Sequence, residues 1–330
     1  LIWAGVGVIS SEGSEALTKL AEFLQAPVVT TAEGKGAISD HHPLSLGALW
    51  LRNDTIAKKE FGHDVILAVG TRLVTSQWLD GQKVVQIDID PEEIGRGYAD
   101  TLRVEGDAKL TMENLLTALS AKTSAREDKT AAVNAQKVQR DNDIIKVEPQ
   151  GELLEAVRRA VPEDGILISG MTQLGYYSRA HFPVYEPRTF ITSSYSGNLG
   201  YAYPTALGAK VAQPDKAVVC LSGDGGFMFN SQEMSTAVAH NINVVVVIFN
   251  DNAYGNVKRD QMNQFSGRTI GVELHNPDFV KLAEAYGAVG FVANGPAELE
   301  ETLKKALTLD APVLIEVPVG PMPSPFFKNP

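Results

Sequence analysis

Residues 217–226 read Ala-Val-Val-Cys-Leu-Ser-Gly-Asp-Gly-Gly, and residues 244–255 read Val-Val-Val-Val-Ile-Phe-Asn-Asp-Asn-Ala-Tyr-Gly. Each is an apolar run of strand length that breaks abruptly into small and polar residues. Apolar runs without polar alternation are the pattern of strands buried on both faces, as in a parallel sheet between helix layers. A helix over about Ser231–His240 separates the two, so the stretch reads strand, loop, helix, strand, loop. Both loops of such a unit emerge at the carboxyl edge of the sheet, where open parallel sheets bind their ligands. Asp224 stands at the end of the first strand, and Asn250 and Asp251 at the end of the second. Asp224 and Asp251 lie 27 residues apart, one circuit of the unit, so their oxygens can converge on one point.

Carboxylate and carbonyl oxygens, completed by phosphate oxygens and water, are what Mg²⁺ requires. Gly223, Gly225 and Gly226 let backbone amides come close to a phosphate and lead into a helix N-terminus. The expectation is a Mg²⁺–diphosphate site. A Gly-Asp-Gly tripeptide by itself is an ordinary turn. The second donor set, one circuit away on the matching element, is what gives it meaning.

Outward from this stretch the same alternation continues in both directions. Strand-like runs fall at Leu1–Ala4, Pro27–Thr31, Val65–Val69 and Val84–Ile89, then at Ile166–Ser169 and Val313–Val317. Helical spacing places Leu17, Leu20, Ala21 and Leu24 on one face, and Leu110, Leu115 and Leu116 on the face of a helix that Asp107 caps. Further helices are expected over Gly151–Ala160, Phe279–Tyr286 and Ala297–Leu307. Between Ala121 and Asp143 large apolar residues nearly vanish among Lys, Arg, Asp, Glu, Asn and Gln, which predicts a partly helical linker. The tail, with Pro321, Pro323, Pro325 and Pro330, is expected to be irregular. The fold class is therefore α/β, in two domains, each a mostly parallel sheet flanked by helices.

Composition narrows the partners. The 330 residues carry 29 basic and 40 acidic side chains, a formal charge of −11, and no basic block offsets it, which argues against nucleic acid. The longest apolar run, Val244–Phe249, is far short of a membrane span. A single cysteine, Cys220, makes no disulfide framework and reads as a small core residue, so the cytoplasm is the expected compartment. Gly5-Val6-Gly7 after the first strand has Ser10 where a dinucleotide fingerprint would place its third glycine, so nicotinamide is not expected. The chain opens on Leu1 inside a core strand, which suggests a piece of something longer.

With these residues in view, the chain resembles thiamine-diphosphate-dependent enzymes of the acetolactate synthase/pyruvate decarboxylase superfamily. Their signature is Gly-Asp-Gly followed one strand-helix circuit later by paired asparagines. The resemblance extends over Val84-Val85-Gln86-Ile87-Asp88-Ile89-Asp90-Pro91 and Ser196-Gly197-Asn198-Leu199-Gly200-Tyr201. It implies a central domain over 1–120, a linker over 121–147 and a diphosphate-binding domain over 148–330. It also implies roles for individual residues. Asp224, Asp251 and the Ala253 carbonyl would hold Mg²⁺. The cofactor would contact Gly223, Asp224, Gly225, Gly226, Asp251, Ala253, Tyr254 and Gly255, with Met171 and Gln173 at the diphosphate and the mouth of the site. The Gly197 carbonyl would accept from the cofactor's 4′-amino group, and Leu199 would wedge between its two rings, both acting in catalysis by proximity. Asp251 departs from the pattern, since the usual second ligand is an amide. Asp260 departs too, standing where acetolactate synthases carry a tryptophan on a helix, here Asn256–Gln261, that should face substrate.

The implied activity is decarboxylation of a pyruvate-like 2-oxoacid with carboligation. A simple decarboxylase, lyase or acyltransferase of the same superfamily is the alternative, and a non-catalytic cofactor-binding fragment is the alternative from another class. The family's catalytic glutamate belongs to an N-terminal pyrimidine-binding domain that this sequence lacks. It would come from another segment or a second chain, in a homodimer or homotetramer. Thr71-Arg72-Leu73-Val74-Thr75 stands where flavin-binding members carry an acidic-acidic-arginine signature, so the resemblance argues against FAD.

Overall fold

The structure, a computed structural model, describes residues 1–48, 62–74, 81–143, 146–193 and 196–324. It divides into two compact units, one within Leu1–Ile145 and Pro183–Thr189, the other within Lys146–Phe182 and Phe190–Phe326. Among the described residues, every strand pairing within each sheet is parallel.

The first unit contains β1 (Ile2–Ala4), α1 (Val6–Ser10), α2 (Ser14–Leu24), β2 (Val28–Thr30), β3 (Ser45–Ala48), β4 (Val65–Val69), β5 (Lys83–Asp88), β6 (Thr101–Glu105), α3 (Ala108–Ser120) and α4 (Thr130–Asp143). The strands lie in the order β3-β2-β1-β4-β5-β6, which reverses direction of winding between β1 and β4. At that reversal the turns after β1 and β4 touch backbone to backbone: a Cβ on Gly5 would fall 2.1 Å from the Gly70 carbonyl oxygen. The Gly5-Val6-Gly7 spacing is thereby accounted for by close approach of two turns. The expected strands at 2–4, 28–30, 65–69 and 83–88 are present, and Ile89, expected inside the last, lies beyond it and is exposed.

Asp107 caps α3 as expected, its carboxylate accepting from the Leu110 amide at 3.0 Å. Leu110 itself is not on the core face; it is 58% exposed. The buried stripe of α3 runs through Ala108 and Met112, with Leu115, Leu116 and Leu119 packed against the core. Leu110 sits two residues from both Ala108 and Met112, about 200° around the helix from each, and so points outward. The segment expected as a linker holds α4, and Val133 of that helix is buried in the first core. Arg140, also on α4, donates to the Ala48 carbonyl at 2.8 Å.

The second unit contains α5 (Gln150–Ala160), β7 (Ile166–Ser169), α6 (Gln173–His181), β8 (Phe190–Thr192), α7 (Ala202–Ala212), β9 (Val218–Gly223), α8 (Asp224–Met228), α9 (Glu233–Ala239), β10 (Val245–Asn250), α10 (Gly255–Gln264), α11 (Phe279–Tyr286), β11 (Val289–Val292), α12 (Pro296–Ala306) and β12 (Val313–Pro318). Their order is β11-β12-β10-β9-β7-β8, so β9 and β10 are central. All six residues of β10 are buried, the consequence of an unbroken Val-Val-Val-Ile-Phe run covered on both faces. Cys220 lies in β9, fully buried, and burial pushes its thiol well above the ordinary range, consistent with a packing role. Residues 319–324 carry no regular structure, in keeping with the expected tail, whose Pro325 and Pro330 lie outside the described residues. Among the described residues, no helix is long and apolar enough to cross a membrane.

Candidate functional site

Strands β9 and β10 pair in register, Val245 beside Val219 through to Phe249 beside Gly223. The chain therefore leaves both strands at the same level, with Asp224 opening α8 and Asn250 and Asp251 leading out of β10. Short α8 is pinned by Phe227, 1% exposed, whose ring lies 5.4 Å from that of Tyr203 and 6.1 Å from that of Phe279. Truncating such a buried aromatic costs about 3–5 kcal/mol, so the element carrying Asp224 is anchored by the core.

The two carboxylates face one cavity of about 290 Å³. Every residue expected at the cofactor is among its walls: Gly223, Gly225, Gly226, Ala253, Tyr254 and Gly255 on the β9 and β10 loops. Met171, Gln173, Gly197 and Leu199 line it as well. From the helix after the second loop, Asn256 and Val257 reach the wall, whereas Lys258 pairs with Glu273 at 2.7 Å and Asp260 is exposed.

The loop after β10 is built by its own side chains. Asn250 Oδ1 accepts from the Asn252 amide at 3.1 Å, and Asp251 Oδ1 accepts from the Ala253 amide at 3.2 Å, two successive turns of the kind short polar side chains favour. Asn252 adopts φ 54°, a left-handed conformation asparagine tolerates. Beyond it, the Tyr254 amide donates to the Val272 carbonyl at 2.9 Å and the Leu274 amide to the Asn252 carbonyl at 2.8 Å. The Ala253 carbonyl takes part in neither bond. Gly255 is the first residue of α10, and a Cβ there would stand 2.3 Å from Asp251 Oδ2.

Three residues that the sequence did not single out complete this arrangement. Asn276 Nδ2 donates to Asp224 Oδ2 at 2.6 Å, to Asn250 Oδ1 at 2.9 Å and to Asn252 Oδ1 at 3.3 Å, tying both strand-end loops together. Asn250 Nδ2 in turn donates to Glu316 on β12 at 2.7 Å. Arg259 stands just behind the wall. Its guanidinium donates to Gln173 Oε1 at 3.1 Å, to the Met322 carbonyl at 3.4 Å and to Asn256 Oδ1, all three of which belong to lining residues. Asn276 precedes Pro277 and the Asp278 cap of α11, and locally reads as part of a turn; only the tertiary fold brings it to the site.

Burial, then the neighbouring Asp224 charge, pushes the Asp251 carboxyl up to about 6. Burial likewise raises Asp224, against the Asn276 hydrogen bond and nearby backbone amides that favour its charged form. The described lining residues include no Lys, Arg or His. The wall thus brings together the buried Asp224 and the half-buried Asp251, with no cationic side chain among its described lining residues, an arrangement of hard oxygen donors that would suit a divalent cation. Gly197 has φ 60°, a backbone state suited to glycine, and Leu199 beside it leaves 39% of its surface uncovered.

Comparison with known proteins bears directly on this cavity. The thiamine pyrophosphate enzyme C-terminal TPP-binding domain matches residues 170–317, and the central domain of the same enzymes matches residues 1–115. The chain belongs to the thiamine pyrophosphate enzymes. Asp224, Asp251, Gly197 and Leu199 all fall inside its TPP-binding domain. The chain is 34% identical to a probable acetolactate synthase large subunit of Methanococcus aeolicus, over 97% of this chain and 58% of that protein. It is 32% identical to the large subunit of acetolactate synthase from Haemophilus influenzae, over 94% of this chain and 56% of that one. The same identity, over 93% and 56%, relates it to the isozyme 3 large subunit of Escherichia coli. The chain thus spans somewhat more than half the length of these curated relatives.

Proposed function

We propose that this chain is the central and diphosphate-binding part of a thiamine-diphosphate- and Mg²⁺-dependent enzyme that decarboxylates a pyruvate-like 2-oxoacid and joins the remaining fragment to a second carbonyl compound. The observation that carries the reading is the meeting of Asp224, Asp251 and Ala253 with Gly197 and Leu199 around one cavity, inside the matched TPP-binding domain.

The residues present fit the group. Asp224, Asp251 and the Ala253 carbonyl would hold the cation. Gly223, Gly225 and Gly226 carry no side chain to keep a diphosphate from the backbone, and Tyr254 and Gly255 continue the same wall. When bound, thiamine diphosphate supplies the centre that stabilises a carbanion. The protein's share is placement. The Gly197 carbonyl would accept from the cofactor's amino group, and the partly uncovered Leu199 would give an apolar support for its rings. Met171 is held for its part by two donors to its sulfur, Arg179 at 3.4 Å and Ser193 at 3.2 Å. Arg259 fixes Gln173 and Asn256 at the mouth.

A pyrimidine-binding domain, from another segment or a second chain, supplies the catalytic glutamate in a cytoplasmic homodimer or homotetramer. With that domain supplied, together with Mg²⁺, thiamine diphosphate and pyruvate, the assembly is expected to release CO₂ and accumulate acetolactate, read by product analysis. Free acetaldehyde as the main product would make it a simple decarboxylase. Absence of turnover with any 2-oxoacid, in an assembly shown to bind the cofactor, would reduce the chain to a cofactor-binding role.

A further inference from the structure

The second strand-end ligand is an aspartate, and its surroundings give that extra charge a consequence for the order in which the site fills. The cavity wall presents two carboxylates and, among the described lining residues, no cationic side chain. The nearby cations among the described residues stand off the wall, Arg179 reaching no further than the Met171 sulfur at 3.4 Å. Lys258 is paired with Glu273, and Arg259 donates to Gln173, Asn256 and the Met322 carbonyl behind the wall. A diphosphate approaching this wall without a cation meets like charge at short range, where screening by water and salt is weakest.

The same two carboxylates are already arranged for a cation. Asn276 holds Asp224 Oδ2 and the two asparagines of the β10 loop. The Ala253 amide holds Asp251 Oδ1, and the absence of a side chain at Gly255 leaves room for Oδ2. None of these bonds needs a ligand to form, so little ordering cost remains when a cation arrives.

We infer that this chain takes its divalent cation first, on Asp224 and Asp251 and without the diphosphate, and that the cation then admits the diphosphate. The inference rests on the proposed cofactor site and specifies how that site is filled. With an amide at position 251, the protein would offer one carboxylate instead of two, and the cation would arrive only as its diphosphate complex.

Mn²⁺ titration of the chain, followed by the electron paramagnetic resonance signal of the free ion and with no thiamine diphosphate present, tests this. One Mn²⁺ is expected to bind per chain and to be displaced by Mg²⁺. Asp251→Asn, nearly identical in shape and checked for folding by its melting temperature, is expected to weaken that binding tenfold or more. Mn²⁺ binding that appears only after thiamine diphosphate is added would overturn the inference and leave the proposed function standing, as would equal binding by Asp251→Asn. Failure to bind Mn²⁺ with or without thiamine diphosphate would remove the proposed cofactor site as well.

Discussion

Asp224→Ala is expected to lower the affinity of the chain for thiamine diphosphate in the presence of Mg²⁺ by about 100-fold or more, while the protein stays folded. Asp224 is 2% exposed and opens the element that joins β9 to its cavity. Loss of a residue that merely supports a metal ligand already costs roughly 10–100-fold in affinity, and removal of a ligand costs at least as much. Folding should tolerate the change. The carboxylate is buried with its charged form disfavoured, and its removal leaves Asn276 still bonded to Asn250 and Asn252. Isothermal titration with thiamine diphosphate, run beside a thermal melt, separates the two effects. A variant that melts normally and binds as tightly as the parent would mean that Asp224 does not hold the cation.

Gly255→Ala gives a second dissociation of binding from stability. Position 255 begins α10, where alanine is intrinsically better than glycine by up to about 1 kcal/mol. The new Cβ would sit 2.3 Å from Asp251 Oδ2, so the carboxylate must turn away. That side chain can move at little cost to the fold, but it is the proposed second cation ligand. The expected result is a melting temperature unchanged or slightly raised, with cofactor affinity reduced roughly tenfold or more. Unchanged affinity would show that the carboxylate can rotate without loss, and would remove Asp251 from the ligand set.

The centre of the second domain was legible in the sequence because its parts are contiguous. Two all-apolar strands end in glycine, aspartate and asparagine, and the strand-helix-strand circuit between them leaves one plausible geometry. Register then brings Gly223 beside Phe249 and the two aspartates to one level. Residues that act across the fold were not distinguished locally, even Arg259, which lies within the helix expected to face substrate. Asn276 bridges both loops from a turn, and Arg259 meets Gln173 and Met322, respectively 86 and 63 residues away in the chain. Peripheral strands were equally silent. In β6 the sequence Thr-Leu-Arg-Val-Glu forms an edge strand whose Leu102 is 66% exposed, so burial imposes no apolar pattern. The polar stretch before Glu148 illustrates the opposite case: α4 needs only a narrow apolar contact, through Val133, to dock on the first core, and a composition count misses so small a face.

Isothermal titration of the unmodified chain with thiamine diphosphate, at saturating Mg²⁺ and again in EDTA, addresses the central assignment most directly. One binding event per chain is expected with Mg²⁺, with its loss in EDTA and no comparable binding of thiamine lacking the diphosphate. Absence of binding with Mg²⁺, or equal binding with and without the metal, would contradict that assignment.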